Sequence, residues 1–258
     1  MPPRALRPSG LFLVDKPAGP SSFAVVRQIR ARTGARTGHT GTLDPFASGL
    51  LLVLSGAATR LTPWLSGLDK RYVTEVDLRT RTSTGDPEGE VLEGHEPPPE
   101  AELRAWLGGL RGEVELPIPA ASAVKIGGER AYRLARRGVT LEMPLRRSQI
   151  AALDVIAYAS DTVTLDLRVS SGTYVRSIAD ALGGHCRTLR RTEVGPFPVE
   201  EADPERMLPP ADALPFLPAR EVDAVTAAAI RQGRERVAEE VRVLHEGELV
   251  AVDGTVLP

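Results

Sequence analysis

The sequence predicts an α+β protein. Segments with the period of a strand and segments with the period of a helix are mixed along the chain, without the regular alternation of a doubly wound fold. Hydrophobic residues make up 42% and charged residues 26% of the 258 residues, which is ordinary for a globular protein with a sizeable core. No apolar stretch approaches the roughly 20 residues that a membrane helix needs.

The first elements follow from local patterns. LFLV at 11–14 predicts a short buried strand that ends in a turn rich in proline and glycine. Ser21 or Ser22 caps a helix over 23–32, and this helix closes near Gly34.

The remaining elements of the main body have equally simple signals. The apolar run at 49–60 predicts a central strand, and period-two alternation predicts strands at 72–78 and 162–169. Segments 101–110 and 174–183 are predicted helices, the second of which stops at its terminal glycine.

The chain is predicted to divide at a proline-rich segment. We expect a catalytic domain over 1–203, with an insertion at about 120–150, and a linker over 204–219. The tail, 220–258, is too small for a strong core of its own, so we expect it to pack on the main body.

Charge is strongly segregated although the net charge is only −2. Residues 125–147 carry seven basic and two acidic residues, and residues 27–36 carry four arginines and no acid. A basic face on a mildly acidic protein favours a polyanionic partner such as RNA over a solvated helix surface. A single cysteine, Cys186, four scattered histidines and the absence of phosphate-binding motifs favour no metal and no cofactor.

One loop could carry chemistry. GHTGTLDPFASGLL at 38–51 places Asp44 among Gly38, Gly41 and Gly49, which allow a ligand to approach the backbone closely. Such a carboxylate needs a cationic partner to stay ionised beside an apolar wall. From the residues alone, a functional and a structural role for Asp44 are about equally supported.

Two other segments offer partners for this loop. SSGTYVRSIADALG places Arg176 at the opening of a helix, after a turn that contains Tyr174, and DKRYVTEV places Tyr72 at the mouth of a strand. Both residues also have a purely structural explanation, in which Arg176 extends over the surface of the sheet and Tyr72 is a core residue. No spacing argument joins these segments to Asp44.

The loop closely resembles the signature of the TruB family of tRNA pseudouridine-55 synthases. The resemblance covers nearly all of residues 10–200, and the supporting motifs appear in family order. They are GLFLVDKPAGPSS, DKRYVTEVDL, RTRTSTGDPEG, SAVKIGGERAYRLARRG, SSGTYVRSIADALG and LRRTEVGPF. The resemblance implies a mixed, mainly antiparallel central sheet with flanking helices, a basic thumb insertion and a small C-terminal β-rich PUA-like domain.

The resemblance implies a role for each matching residue. Asp44 corresponds to the nucleophile, which attacks either the ribose C1′ or the uracil C6. Tyr72 corresponds to the tyrosine that stacks on the target base, and Arg176 to the arginine that pairs with the catalytic acid. Leu189 corresponds to an apolar residue of the base pocket, and His39 to the histidine that fills the space left by flipped-out bases.

Other matches concern support and RNA binding. Lys16 and Pro17 match a lysine–proline pair near the site. The thumb cations are Lys125, Arg130, Arg133, Arg136 and Arg137. Ser83 stands where the family usually carries an aspartate, whereas Asp86 is retained, so local hydrogen bonding near the pocket is in question.

The implied protein is a stand-alone, cytoplasmic, monomeric enzyme that converts uridine to pseudouridine in the T loop of tRNA, without a cofactor or an obligatory protein partner. Three alternatives stay open. They are a guide-RNA-dependent synthase, an RNA-folding chaperone and a uracil-excising glycosidase.

Overall fold

A computed structural model describes residues 8–257 except 123, 138, 140–141 and 238–240, with backbone only at 93, 132, 135 and 136. The chain forms two compact units. The first comprises residues 1–68 and 193–258, and the second comprises 69–192. In the described part of the chain, no helix is long and apolar enough to cross a membrane.

The described part of the first 68 residues contains three strands and three helical segments. The elements there are β1 (Gly10–Lys16), α1 (Ser22–Thr33), β2 (Thr37–His39), β3 (Ser48–Ser55), a 3₁₀ helix (Gly56–Leu61) and α2 (Thr62–Ser66).

The middle of the chain contains the longest strands. Its elements are β4 (Lys70–Asp77), β5 (Thr80–Thr82), β6 (Val91–Gly94), α3 (Glu100–Gly109), β7 (Gly112–Pro117), β8 (Lys125–Ile126), β9 (Glu129–Arg130), α4 (Ala131–Arg136), β10 (Leu145–Tyr158), β11 (Thr162–Val169), α5 (Val175–Ala181) and β12 (His185–Val194).

The last part of the chain returns to the first unit. Its elements are β13 (Phe197–Pro198), a 3₁₀ helix (Val199–Glu201), β14 (Asp203–Leu208), a 3₁₀ helix (Pro210–Ala213), β15 (Ala219–Glu221), α6 (Ala224–Arg231), β16 (Arg242–His245), β17 (Glu248–Val252) and β18 (Thr255–Val256).

In the first unit, β1 pairs antiparallel with both β3 and β14, and β2 pairs antiparallel with β3. Strand β3 is continuously apolar because its residues Leu50 to Leu54 are all fully buried. Helix α1 begins where the Ser21 side chain accepts a hydrogen bond from the Ala24 backbone N–H, and it ends at Gly34, whose φ is 62°. Both helix ends confirm the sequence prediction.

In the second unit, β4 lies between β11 and β12, and β10 lies between β11 and β7. Strands β4, β11, β10 and β7 pair antiparallel. In β4, every second residue from Lys70 to Val76 is buried, as the alternating sequence predicts. The α+β class and the mainly antiparallel pairing are therefore confirmed.

One predicted strand is shorter than expected. The apolar run at 49–60 forms a strand only as far as Ser55, and 56–61 is a 3₁₀ helix. The cause is Gly56, which adopts a φ of 63°, and a Cβ there would lie 2.6 Å from the Pro8 carbonyl oxygen. Its left-handed backbone turns the chain out of the sheet.

The proline-rich segment contains regular structure. β14 pairs with β1 through Leu208 and Leu11, and Leu214 is fully buried in the core of the first unit. Leu249 and Leu257 of the tail belong to the same core, which confirms that the tail packs on the main body. The domain boundaries at 203 and 219 stay predictions.

Candidate active site

The loop that carries Asp44 connects β2 to β3 in the first unit, and Asp44 itself is half-buried. The backbone on both sides of the acid is fixed by hydrogen bonds. The Asp44 carbonyl accepts from the Ala47 N–H at 3.2 Å, and the Pro45 carbonyl accepts from the Gly19 N–H at 2.7 Å. The loop therefore has a defined shape around a carboxylate that solvent can still reach.

Lys16 is the main side-chain support of this loop. It is fully buried at the end of β1, and its ammonium donates to three backbone carbonyls. The acceptors are Pro17 at 3.0 Å, Pro20 at 2.8 Å and Pro45 at 3.3 Å. Three donors meeting three acceptors satisfy the buried charge, and they join the turn after β1 to the residue that follows Asp44.

The N-terminus of α1 holds the other side of the acid. The Ser22 hydroxyl donates to the Leu43 carbonyl at 2.9 Å and accepts from the Leu43 N–H at 2.8 Å. Leu43 itself is 3% exposed. Because Leu43 immediately precedes Asp44, the helix and the loop are joined one residue from the carboxylate.

Other predicted residues of the first unit lie along the same segment. His39, in β2, and Gly41 are half-buried, while Pro17 is exposed. Gly49 has a φ of 105°, so this position needs glycine where β3 begins. At Gly38, by contrast, a Cβ would meet nothing within 4 Å.

Arg176 lies in the first turn of α5 in the second unit, and it is 3% exposed. Its Nη1 donates to the Thr84 carbonyl at 2.6 Å, and its Nη2 donates to the Ala121 carbonyl at 3.0 Å. Nη1 is also 3.4 Å from Oδ2 of Asp86, which is equally buried. A buried guanidinium with a carboxylate and two carbonyl partners has a fixed position.

Asp86 is in turn held by its own loop. Its Oδ1 accepts from the Thr84 hydroxyl at 2.5 Å and from the Glu88 N–H at 3.1 Å. The Ser83 hydroxyl accepts a hydrogen bond from the Glu90 N–H at 3.0 Å. The serine therefore closes the loop that presents Asp86.

Tyr72 and Leu189 lie on neighbouring strands of the second unit. Tyr72 is 8% exposed on β4, and Leu189 is 7% exposed on β12. The Thr74 hydroxyl donates to the Thr188 carbonyl at 2.7 Å and so ties these two strands together. The phenol and the apolar side chain therefore lie on paired neighbouring strands of the sheet.

Lys70 is a residue that the sequence analysis did not select. It is buried two positions before Tyr72 in β4, so both side chains lie on one face of the strand. Burial lowers the pKa of Lys70 to about 8, the charge of Arg191 acts in the same direction, and Asp69 opposes them. A signal for it existed, since the chain has only three lysines among 32 basic residues.

The remaining predicted residues lie around α5 and in the insertion. Tyr174 is half-buried at the N-cap of α5. Of the thumb cations, the exposed ones are Lys125, Arg130, Arg133 and Arg137. Arg137 forms an ion pair with Glu129 at 2.8 Å. The side chain of Arg136 lies outside the described part of the chain.

The structure thus places the predicted residues in two groups, each within its own unit. The first unit carries Asp44, Lys16, Pro17, His39 and Gly41 on one loop and the elements that enter it. The second carries the others on β4, β12, α5 and the insertion. Within the described ranges, no three His, Cys, Asp or Glu side chains form a group that could hold a metal ion.

Comparison with known proteins identifies the family. A family model described as TruB family pseudouridylate synthase, N-terminal domain, matches residues 27–175. This chain belongs to that family.

Similar full-length proteins agree with this assignment. Over 229 residues, the chain is 41% identical to tRNA pseudouridine synthase B of Leifsonia xyli, covering 83% of this chain and 75% of that protein. Over 255 residues, it is 38% identical to tRNA pseudouridine synthase B of Thiobacillus denitrificans, covering 91% and 86%.

A solved structure shows the same fold. A chain in the crystal structure of a Cbf5-Nop10-Gar1 complex superposes with a TM-score of 0.69 at 24% identity, covering 94% of this chain and 77% of that one. The protein is therefore a pseudouridine synthase, an isomerase with an RNA substrate, and the family assignment confirms the prediction made from its motifs.

Proposed function

We propose that this TruB-family enzyme converts uridine to pseudouridine at position 55, in the T loop of tRNA, with Asp44 as the nucleophile. The observation that carries the proposal is the loop of Asp44, in which this half-buried acid lies between two residues, Leu43 and Pro45, whose backbone is fixed by hydrogen bonds. Relatives 38–41% identical are named tRNA pseudouridine synthase B, which supports tRNA as the substrate. The assignment of the modified uridine to the T loop is based on the motif resemblance.

The reaction rearranges one nucleoside without net loss of atoms. Asp44 attacks either the ribose C1′ or the uracil C6, and the N1–C1′ bond breaks. The uracil turns over and its C5 bonds to C1′. The bond to Asp44 breaks and restores the free carboxylate, the C5 proton passes to solvent, and N1 gains a proton. A carboxylate suits this chemistry, because a short anion can attack the sugar or stabilise positive charge that develops on it.

The other site residues bind and orient the target nucleotide. A uridine inside a folded loop must leave its stack before it can react. Tyr72 stacks on the flipped base and Leu189 lines its pocket, while His39 fills the space that the base vacates. Arg176 pairs with the catalytic acid. These roles follow the family resemblance.

The enzyme acts alone in the cytoplasm, as a monomer with tRNA as its partner and with no guide RNA, cofactor or obligatory protein partner. The exposed cations of the insertion contact phosphates of the T arm, so affinity falls as salt rises. Recognition therefore depends on the shape of the loop more than on a long base sequence.

Tritium release tests this function directly. Purified protein is incubated with unmodified tRNA carrying tritium at C5 of its uridines, with no other RNA or protein, and the product is digested to nucleosides. One equivalent of tritium in water per tRNA, with pseudouridine mapped to the T loop, is expected. Tight binding without release would point to a guided enzyme or a chaperone, and free uracil to a glycosidase.

A further inference from the structure

Three of the four arginines at 27–36 make side-chain contacts of two different kinds. Arg30 donates to the Thr37 carbonyl at 3.1 Å, so it ties α1 to β2. Arg32 binds the Glu205 carboxylate and the Pro204 carbonyl, and its guanidinium lies 5.3 Å from the centroid of the Phe12 ring. These two arginines stabilise the fold of the first unit.

Arg27 differs because the aromatic ring that its guanidinium contacts belongs to an exposed residue. Its guanidinium lies 5.6 Å from the centroid of the Phe23 ring, one helical turn away. Phe23 is 58% exposed, and Arg27 is exposed as well. The first turn of α1 contains no acidic residue. Together they present a flat aromatic surface that carries positive charge.

The position of this pair, rather than its exposure alone, indicates a role. Phe23 follows Ser22, whose hydroxyl makes both hydrogen bonds to the Leu43 backbone, and Leu43 precedes Asp44. The pair therefore adjoins the loop of the proposed nucleophile within one compact unit. This surface therefore lies beside the loop to which an RNA strand would deliver its uridine.

We infer that Phe23 and Arg27 form a stacking platform for the RNA strand that flanks the target uridine. The Phe23 ring stacks on the base of a flanking nucleotide, since every base presents a π-face to an aromatic side chain. Arg27 supports the ring from the helix and binds a phosphate of the same strand. This inference rests on the proposed function and adds a contact to the same site.

Binding of a fluorescein-labelled T-arm stem-loop, followed by anisotropy across a salt series, tests the platform. Phe23→Ala should weaken binding roughly 5- to 100-fold at fixed salt. The plot of log K against log salt has a negative slope. Arg27→Ala should make this slope shallower by about one, whereas Arg27→Lys should leave it unchanged. The matched controls are Phe216→Ala and Arg206→Ala, which alter an exposed phenylalanine and an exposed arginine of the same unit.

A second measurement reports stacking itself. The loop purines are replaced one at a time by 2-aminopurine, a fluorescent base. For at least one position, the wild type should quench the fluorescence and Phe23→Ala should not. Phe23→Leu keeps an apolar side chain but loses the ring, so it should behave as Phe23→Ala. Unchanged affinity and quenching in both variants, or equal losses in the controls, would overturn the platform. Failure of the wild type to release tritium would instead overturn the proposed function.

Discussion

The two residues proposed to carry the charges of the reaction are held in opposite ways. Asp44 is half-buried, and its loop is fixed by backbone groups and by the ammonium of Lys16. Arg176 is almost completely buried, and its guanidinium is fixed by the carboxylate of Asp86. The attacking group is thus left reachable on a rigid backbone, whereas the cation is positioned by another charge. Each arrangement predicts a different failure when its support is removed.

The largest effect is expected at the acid itself. Asp44→Asn keeps the size of the side chain and the hydrogen bonds of the loop backbone, but it removes the nucleophile. Turnover should fall on the order of 10⁴-fold or more, while affinity for T-arm RNA stays within a few-fold of wild type. Tritium release in single-turnover experiments measures the first quantity and fluorescence anisotropy the second.

Asp212→Asn, which alters an exposed aspartate of the same unit, is the control and should leave both quantities unchanged. Retained turnover in Asp44→Asn would remove Asp44 from the chemistry.

The second effect concerns the charge that positions Arg176. Asp86→Asn removes the carboxylate that lies 3.4 Å from the buried guanidinium, so we expect kcat to fall about 100-fold with little change in KM. The free energy of unfolding should fall by about 3 kcal/mol, because a buried charge loses one of its charged partners. Steady-state kinetics and urea denaturation measure the two changes.

The control for this experiment is Asp180→Asn. That carboxylate pairs with Arg81 at 2.8 Å in the same unit but is 35% exposed, so its loss should change stability by under about 1 kcal/mol. If both substitutions have equal effects, Arg176 is not positioned by Asp86.

The third effect tests the support of the acid loop. Lys16→Met removes the ammonium from three carbonyls, so the free energy of unfolding should fall by about 2–4 kcal/mol. Turnover should fall as well, because Pro45 follows Asp44 directly. Lys125→Met, at an exposed lysine of the insertion, should change stability little. A stable, fully active Lys16→Met would show that the other backbone contacts hold the loop unaided.

Local features of this fold were accessible from the sequence. The caps of α1, the strands β1, β4 and β11 and the loop of Asp44 all depend on residues close together in the chain. The resemblance placed Lys16 near the site, but the contacts that Lys16 and Asp86 make were harder to anticipate. Their partners include carbonyl groups and a guanidinium, and every residue has a carbonyl, so no pattern of side chains marks these contacts.

The proline-rich segment illustrates the same limit. Five prolines in 204–218 predict a linker, yet β14 forms there and pairs with β1. Proline is tolerated in a strand whose N–H groups are not all required, and the partner strand lies almost 200 residues earlier. Pairing over that distance leaves no local trace in the sequence.

Lysine usage was the signal most easily overlooked. Arginine supplies 29 of the 32 basic residues, and of the three lysines that remain, Lys16 and Lys70 are buried. An ammonium is compact enough to be enclosed by three carbonyls, whereas a planar guanidinium needs a wider set of partners. Two of the three lysines of this arginine-rich chain therefore occupy confined sites, whereas Lys125 is exposed.

The smallest effect concerns Lys70, a buried residue of the second unit. The positive charge of Arg191 acts on Lys70 and disfavours its protonated form. Its pKa is lowered from 10.5 to about 8 in the folded protein. Between these two values the unfolded chain binds more protons than the folded one, so stability rises with pH. Relative to Lys70→Met, the wild type should gain about 2 kcal/mol in the free energy of unfolding from pH 7 to pH 10.

Urea denaturation of both proteins at pH 7, 8, 9 and 10 measures this difference, because contributions from all other groups cancel. Lys125→Met, whose lysine is exposed, should run parallel to the wild type over the same range. A wild-type curve parallel to that of Lys70→Met would mean that Lys70 keeps its ordinary pKa and that its charge is compensated within the fold. The second unit would then compensate the charge of Lys70, as Asp86 compensates that of Arg176.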